Sequence, residues 1–153
     1  YAFIQIDKNN YSVPDSLVDK YLMVKVYPDS IIAYYRNTEV ANHIRSINSE
    51  ETIIDIKHYL NTFLKKPGAL KNSLALKSVP ELKRLFDTYF KENPKDFIDF
   101  LRLYKGFSIE EIIEKIKMEI CIKPIKDDQI SKACDTQINE ISKLFIGGLN
   151  DVH

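Results

Sequence analysis

Leu22-Met23-Val24-Lys25-Val26-Tyr27 alternates, with Leu22, Val24 and Val26 on one face, which is the period-two signature of a half-buried strand. The same period extends on both sides of it. Upstream, Phe3 and Gln5 face away from Ile4 and Ile6, and Asp7-Lys8-Asn9-Asn10 reads as a turn into Tyr11-Ser12-Val13-Pro14, whose proline suits a strand edge or end. Downstream, Pro28-Asp29-Ser30 turns into Ile31-Ile32-Ala33-Tyr34-Tyr35, and Arg36-Asn37-Thr38-Glu39 turns into Val40-Ala41-Asn42-His43-Ile44. Five short strands with small turns are too few for a sandwich. They predict a small antiparallel β-barrel over residues 1–45.

After Ile44 the period becomes helical. Ser49 is placed to cap a helix whose first turn carries Glu50 and Glu51, with Ile53, Ile56, Leu60, Phe63 and Leu64 as its apolar stripe and Pro67-Gly68 as its stop. Ser78-Val79-Pro80-Glu81 has capping-box spacing, ahead of Leu82, Leu85, Phe86, Tyr89 and Phe90. Asn93-Pro94 opens a helix with Phe97, Phe100, Leu101 and Tyr104 inward and Gly106 as its C-cap. Ser108-Ile109-Glu110-Glu111 is a second capping box before Ile112, Ile113, Ile116 and Ile120, and a last helix is expected over 127–145, stopped by Gly147-Gly148. Residues 46–153 are therefore expected to form an all-α region of about five helices. Strands first and helices second make the fold class α+β.

The chain has 153 residues and begins with Tyr1 on a strand already under way, which reads as a fragment of a longer protein. Its apolar and charged fractions are those of a folded soluble domain. Cys121 and Cys134 make no disulfide framework and fit reduced thiols in a cytosolic protein. No apolar run approaches the length of a membrane span, so no membrane partner is expected.

A catalytic set is not evident. Glu110, Glu111 and Glu114 read as the solvated face of one helix, and His43, His58 and His153 lack zinc-ligand spacing with either cysteine. The nine tyrosines raise the question of a tyrosine nucleophile, but nothing places Arg36, Arg45, Arg84 and Arg102 around one. No phosphate-binding glycine loop is present. The stronger lead is charge. The chain is neutral overall, yet from Lys57 to Arg84 the bases are Lys57, Lys65, Lys66, Lys71, Lys77, Lys83 and Arg84 against one acid, Glu81. Such a local excess suits a polyanion and points to Lys65, Lys66, Lys71 and Lys77 as phosphate contacts on DNA, with Lys25 and Arg36 as weaker candidates. The alternative is that these lysines only solvate a helical module. The aromatics at helical spacing read as core.

Tyr11-Ser12-Val13-Pro14, then Leu17-Val18 and Met23-Val24-Lys25-Val26-Tyr27, resembles the small barrel that follows the catalytic domain in Mu-type and IstA-type transposases. His58-Tyr59-Leu60, Phe63-Leu64 and Lys66-Pro67-Gly68-Ala69-Leu70 resemble the region downstream of it in IstA-like transposases, and the likeness continues over Phe97-Ile98 to the helix beyond Ser108. The resemblance implies a bacterial cytoplasmic insertion-sequence transposase whose Asp-Asp-Glu metal site, with its Mg²⁺, lies in a domain upstream of Tyr1. No cofactor is then expected in this fragment. It also implies DNA as partner, at transposon ends or target, for a tail that helps to assemble the transposition complex. In that setting the second reading is a protein-interaction module docking an IstB-like ATPase helper, or self-associating with another transposase subunit, through the Glu110-Glu111-Glu114-Glu119 helix and the last helix. An independent enzyme is the third, least supported reading.

Overall fold

A computed structural model of the chain describes residues 1–122. Residues Tyr1–Phe107 form one compact unit, and a second begins at Ser108. The helix expected over 127–145, Cys134, the Gly147-Gly148 stop and His153 lie outside the described residues.

The alternating N-terminal sequence forms strands where it was expected to. β1 (Phe3–Ile6) and β2 (Asn9–Ser12) pair antiparallel, with Phe3 opposite Ser12 and Ile6 opposite Asn9. Their tip is Asp7-Lys8, both at left-handed φ of 51° and 66°, as a two-residue hairpin with the native twist requires. β3 (Met23–Val26), β4 (Ser30–Tyr35) and β5 (Thr38–Ile44) form an antiparallel meander, with an irregularity between Ala33 and Tyr34. The β4–β5 tip, Arg36-Asn37, is again left-handed at both residues. Ala33 and Ala41 pair across β4 and β5 and share a core cluster with Ala2 and Val13, against which Ile4, Leu22, Val24 and Val40 pack. Small inward side chains thus let strands from both sheets meet. The fold is α+β, but the expected barrel is not confirmed. The six strands fall into two three-stranded sheets, one of β3, β4 and β5 and the other of β1, β2 and a short β6 (Thr52–Ile53) that runs parallel to β2.

β6 occupies a segment expected to be helical, and tertiary hydrogen bonds explain the difference. Asn9 is fully buried; its amide accepts from Glu51 N–H at 2.8 Å and donates to the Asn48 carbonyl at 2.7 Å. Asn10 N–H donates to the Glu51 carbonyl at 2.8 Å, and Glu50 adopts φ 65°, which no helix accommodates. The Glu51 carboxylate accepts from Ser46 and Asn48 side chains, and these bonds hold it below the usual carboxylate range. Helix starts only after a 3₁₀ turn at Ile56–Tyr59, whose N-cap Asp55 accepts from Lys57 N–H at 2.9 Å.

α1 (Leu60–Lys65) is capped from a distance. Asp15, on the turn after β2, accepts from Thr62 N–H (2.7 Å), Thr62 Oγ1 (2.8 Å) and Asn61 Nδ2 (3.1 Å). A 3₁₀ turn at Pro67–Ala69 follows, then α2 (Leu74–Lys77), capped by Ser73 Oγ accepting from Leu76 N–H. α3 (Pro80–Leu85) runs into a π-helical turn at Phe86–Phe90, and α4 (Pro94–Leu103) completes the unit. Leu70, Leu76, Leu82, Phe86, Phe97 and Leu101 are fully buried, and Phe86 and Phe90 each pack on Phe97 at 5.2 Å between ring centres. Phe86 and Phe97 are core, as their spacing predicted, whereas Tyr89, Phe90 and Phe100 are only partly buried. Two local expectations fail. Ser78 donates to the Ala75 carbonyl instead of capping α3, where Pro80 already removes one N–H in need of a partner. Gly106 is not a left-handed cap, since no described glycine has positive φ. In the second unit, Ser108 and Glu111 form both arms of the expected capping box (2.9 and 3.2 Å) at the start of α5 (Ile109–Ile122).

One buried constellation joins β2, β5 and the turn before α1. Ser12 is fully buried; its carbonyl accepts from His43 Nε2 at 2.6 Å, so that nitrogen carries the proton. Ser12 Oγ accepts from Asp55 N–H at 2.9 Å and meets His58 Nδ1 at 2.8 Å, and the two imidazoles lie edge to face at 5.5 Å. Burial pushes the His58 pKa down to about 4, against the opposing pull of Asp55 and with the help of His43, Lys57 and Lys105.

Removing the remote cap with Asp15→Ala should cost about 1 to 2 kcal/mol in urea unfolding, because Thr62 N–H loses its acceptor. The neutral His58 sets a pH dependence. The unfolded chain binds a proton near pH 6.5 and the folded chain only near 4, so stability is full above about 6.5 and falls as pH drops towards 4. The loss through that window should be roughly 2 to 3 kcal/mol. His58→Gln should flatten it, and equal slopes for the two proteins between pH 6.5 and 4.5 would show that His58 does not set it.

Candidate nucleic-acid interface

The structure sorts the basic interval into two groups. Lys57 is committed internally: its ammonium lies 3.5 Å from Asp55 and donates to the Phe107 carbonyl at 3.1 Å. Lys83 pairs with Asp87 one helical turn on. In contrast, Lys65, Lys66, Lys71 and Lys77 are exposed, as is Arg84, and none of the five forms a salt bridge with another described residue. Lys65 ends α1, Lys66 leads into the Pro67 turn, Lys71 follows the fully buried Leu70, and Lys77 ends α2.

Their backbone is well held. Phe63, Leu70, Ala75 and Leu76 anchor the run from below, and Tyr1 Oη accepts from Leu74 N–H at 2.8 Å. Four cations therefore project from fixed points with no salt bridge among the described residues, which leaves them available to neutralise phosphate. The two weaker candidates lie on other elements. Lys25 Nζ sits 5.1 Å from the Tyr34 ring centre on the meander, and the Arg36 guanidinium 5.2 Å from that of Tyr35 at the hairpin tip.

Among the described residues, the buried polar groups are committed to internal hydrogen bonds. Ser12 and His58 have the separation of a nucleophile and its base, but Ser12 is fully buried and its oxygen already receives Asp55 N–H. Sequence reasoning missed this constellation. Its members lie 31 and 46 positions apart, and the one local signal was the alternation that turns His43 inward beside Ala41. Tyr59 is unsuited to attack on phosphorus, because its hydroxyl donates to the Ala2 carbonyl at 3.1 Å and burial raises its pKa far above neutral. A cleft of about 530 Å³ beside His58 carries Glu39 and Asp55 as well as Lys57 and Lys105, so its charges offset. Among the described residues no three His, Cys, Asp or Glu side chains converge to hold a metal ion. No helix among them is long and apolar enough to cross a membrane.

Residues 1–55 match the family described as Mu transposase, C-terminal domain. Over 127 residues the chain is 28% identical to a transposase of Aminobacter aminovorans, covering 78% of this chain and 25% of that protein. It is 26% identical over 135 residues to a transposase for insertion sequences IS1326/IS1353 from Pseudomonas aeruginosa, and equally to one from Shigella flexneri, covering 82% of this chain and 27% of each. The chain thus spans about a quarter of the length of the curated relatives it matches. No solved structure matches it significantly. The matched domain and the likeness to transposases along most of the chain together support a C-terminal region of a Mu-type transposase.

Proposed function

We propose that this chain is a non-catalytic part of a bacterial insertion-sequence transposase. It binds DNA through sequence-tolerant phosphate contacts and helps to assemble the transposition complex. The observation that carries this reading is the set of four exposed lysines, Lys65, Lys66, Lys71 and Lys77, left without salt bridges among the described residues while Lys57 and Lys83 are paired. Unpaired cations on a fixed backbone bind a polyanion without first breaking internal bonds. In this reading residues 1–55 are the Mu-type module, β6 included, and the described helices after it are its extension. Metal-dependent strand transfer belongs to another part of the transposase.

A second reading rests on α5, where Met118 and Ile122 are 59% and 77% exposed beside Glu114. Exposed apolar side chains among acids suit a protein partner, either an IstB-like ATPase or another transposase subunit.

Duplex binding followed by fluorescence anisotropy across a salt series separates the two. Each phosphate contact contributes about −0.9 to the slope of log affinity against log salt. The triple variant Lys65→Glu/Lys66→Glu/Lys71→Glu should flatten that slope by roughly 2 to 3 and weaken binding severalfold at low salt. Its thermal midpoint should hold, because all three side chains are exposed. Binding indifferent to the three changes would remove this run from the interface and favour the protein partner.

A further inference from the structure

The β4–β5 tip holds a residue that its backbone disfavours. Arg36 and Asn37 have φ of 49° and 65°, a region that asparagine and glycine enter readily and a long L side chain enters at a cost. Asn37 follows that preference and Arg36 does not. At the other hairpin tip Asp7 accepts from Arg45 Nη2 at 2.6 Å, and Lys8 at φ 66° is, like Arg36, a long side chain in the left-handed region. Arg36 forms no salt bridge with a described residue, and its guanidinium rests on the ring of its own neighbour, Tyr35.

The tip also overhangs its sheet. β3 pairing ends at Met23 opposite Tyr34, so the Tyr35–Thr38 pair and the two turn residues extend past the third strand. Arg36, Asn37 and Thr38 are all exposed. A single planar cation on a two-residue tip matches a narrow slot better than a flat surface. The minor groove of B-DNA, about 6 Å wide, admits a side chain but not a helix or a ribbon. It is most negative where A·T steps narrow it, and guanidinium, less strongly hydrated than ammonium, enters it more readily.

We infer that Arg36 inserts into the minor groove of duplex DNA and favours A·T-type steps. This adds base-composition preference to the phosphate contacts proposed above, and it rests on that reading. Lysine contacts to phosphate carry no such preference.

The test compares two duplexes of the same sequence, one with guanosine and one with inosine in its place. Inosine lacks the amino group that G·C pairs present in the minor groove and leaves the major-groove edge unchanged. The full chain should bind the inosine duplex about fivefold tighter. Arg36→Asn should bind both equally, while keeping a salt slope within about one of the original. Because asparagine suits the left-handed turn, that variant should unfold at the same temperature or higher, so a lost preference is not lost folding. Equal affinity of the original chain for both duplexes, with salt-steep binding intact, overturns the groove assignment and leaves the phosphate reading standing. A preference that survives Arg36→Asn also overturns it. Absence of salt-dependent binding to either duplex overturns both.

Discussion

Ser12 is fully buried and both its polar groups are committed, the carbonyl to His43 on β5 and the hydroxyl to Asp55 and His58 on the turn before α1. Buried polar groups are expensive to leave unpaired, so this arrangement fixes more than one element at once. A one-residue slip of β2 would turn Ser12 over, orphan its partners and break the bond that Tyr11, 1% exposed, accepts from Ser46 N–H. With β2 held in register, Asn9 reaches the 48–51 segment and Asp15 reaches the start of α1. The lysine run follows from there.

Local physics made the strand-then-helix order legible. Alternation located β3, β4 and β5 to within a residue or two at most ends, and proline marked the first turns of α3 and α4. The Ser108–Glu111 capping box was readable because both arms lie within four residues. The failures share a cause. Ser49-Glu50-Glu51 has every local mark of a helix start, yet Asn9, some 40 positions earlier, draws that segment into β6. Such a bond has no signature in a window of a dozen residues. The grouping of six strands into two sheets depends on the same distant partner, which is why a barrel was the natural but unconfirmed expectation.

The candidate interface was legible in part. The excess of bases between 57 and 84 was visible in composition, but composition could not separate Lys57 and Lys83, which are paired within the fold, from the five that form no salt bridge among the described residues. That distinction depends on where Asp55 and Asp87 come to lie. Arg36 was visible as a turn residue, but the energetic oddity of its position appears only with the backbone angle.

Lys65, Lys66, Lys71 and Lys77, without salt bridges among the described residues, belong to a chain whose 22 basic and 22 acidic residues cancel. Beyond a Debye length of about 10 Å at 0.1 M salt the fields of exposed charges are largely screened, and a neutral chain has no net charge to pull on in any case. A distant polyanion therefore exerts little force on it. Encounter gains little from long-range attraction, whereas alignment at short range gains a great deal. A surface of this kind is effective once it is already close, a condition that a covalent tether meets by raising local concentration.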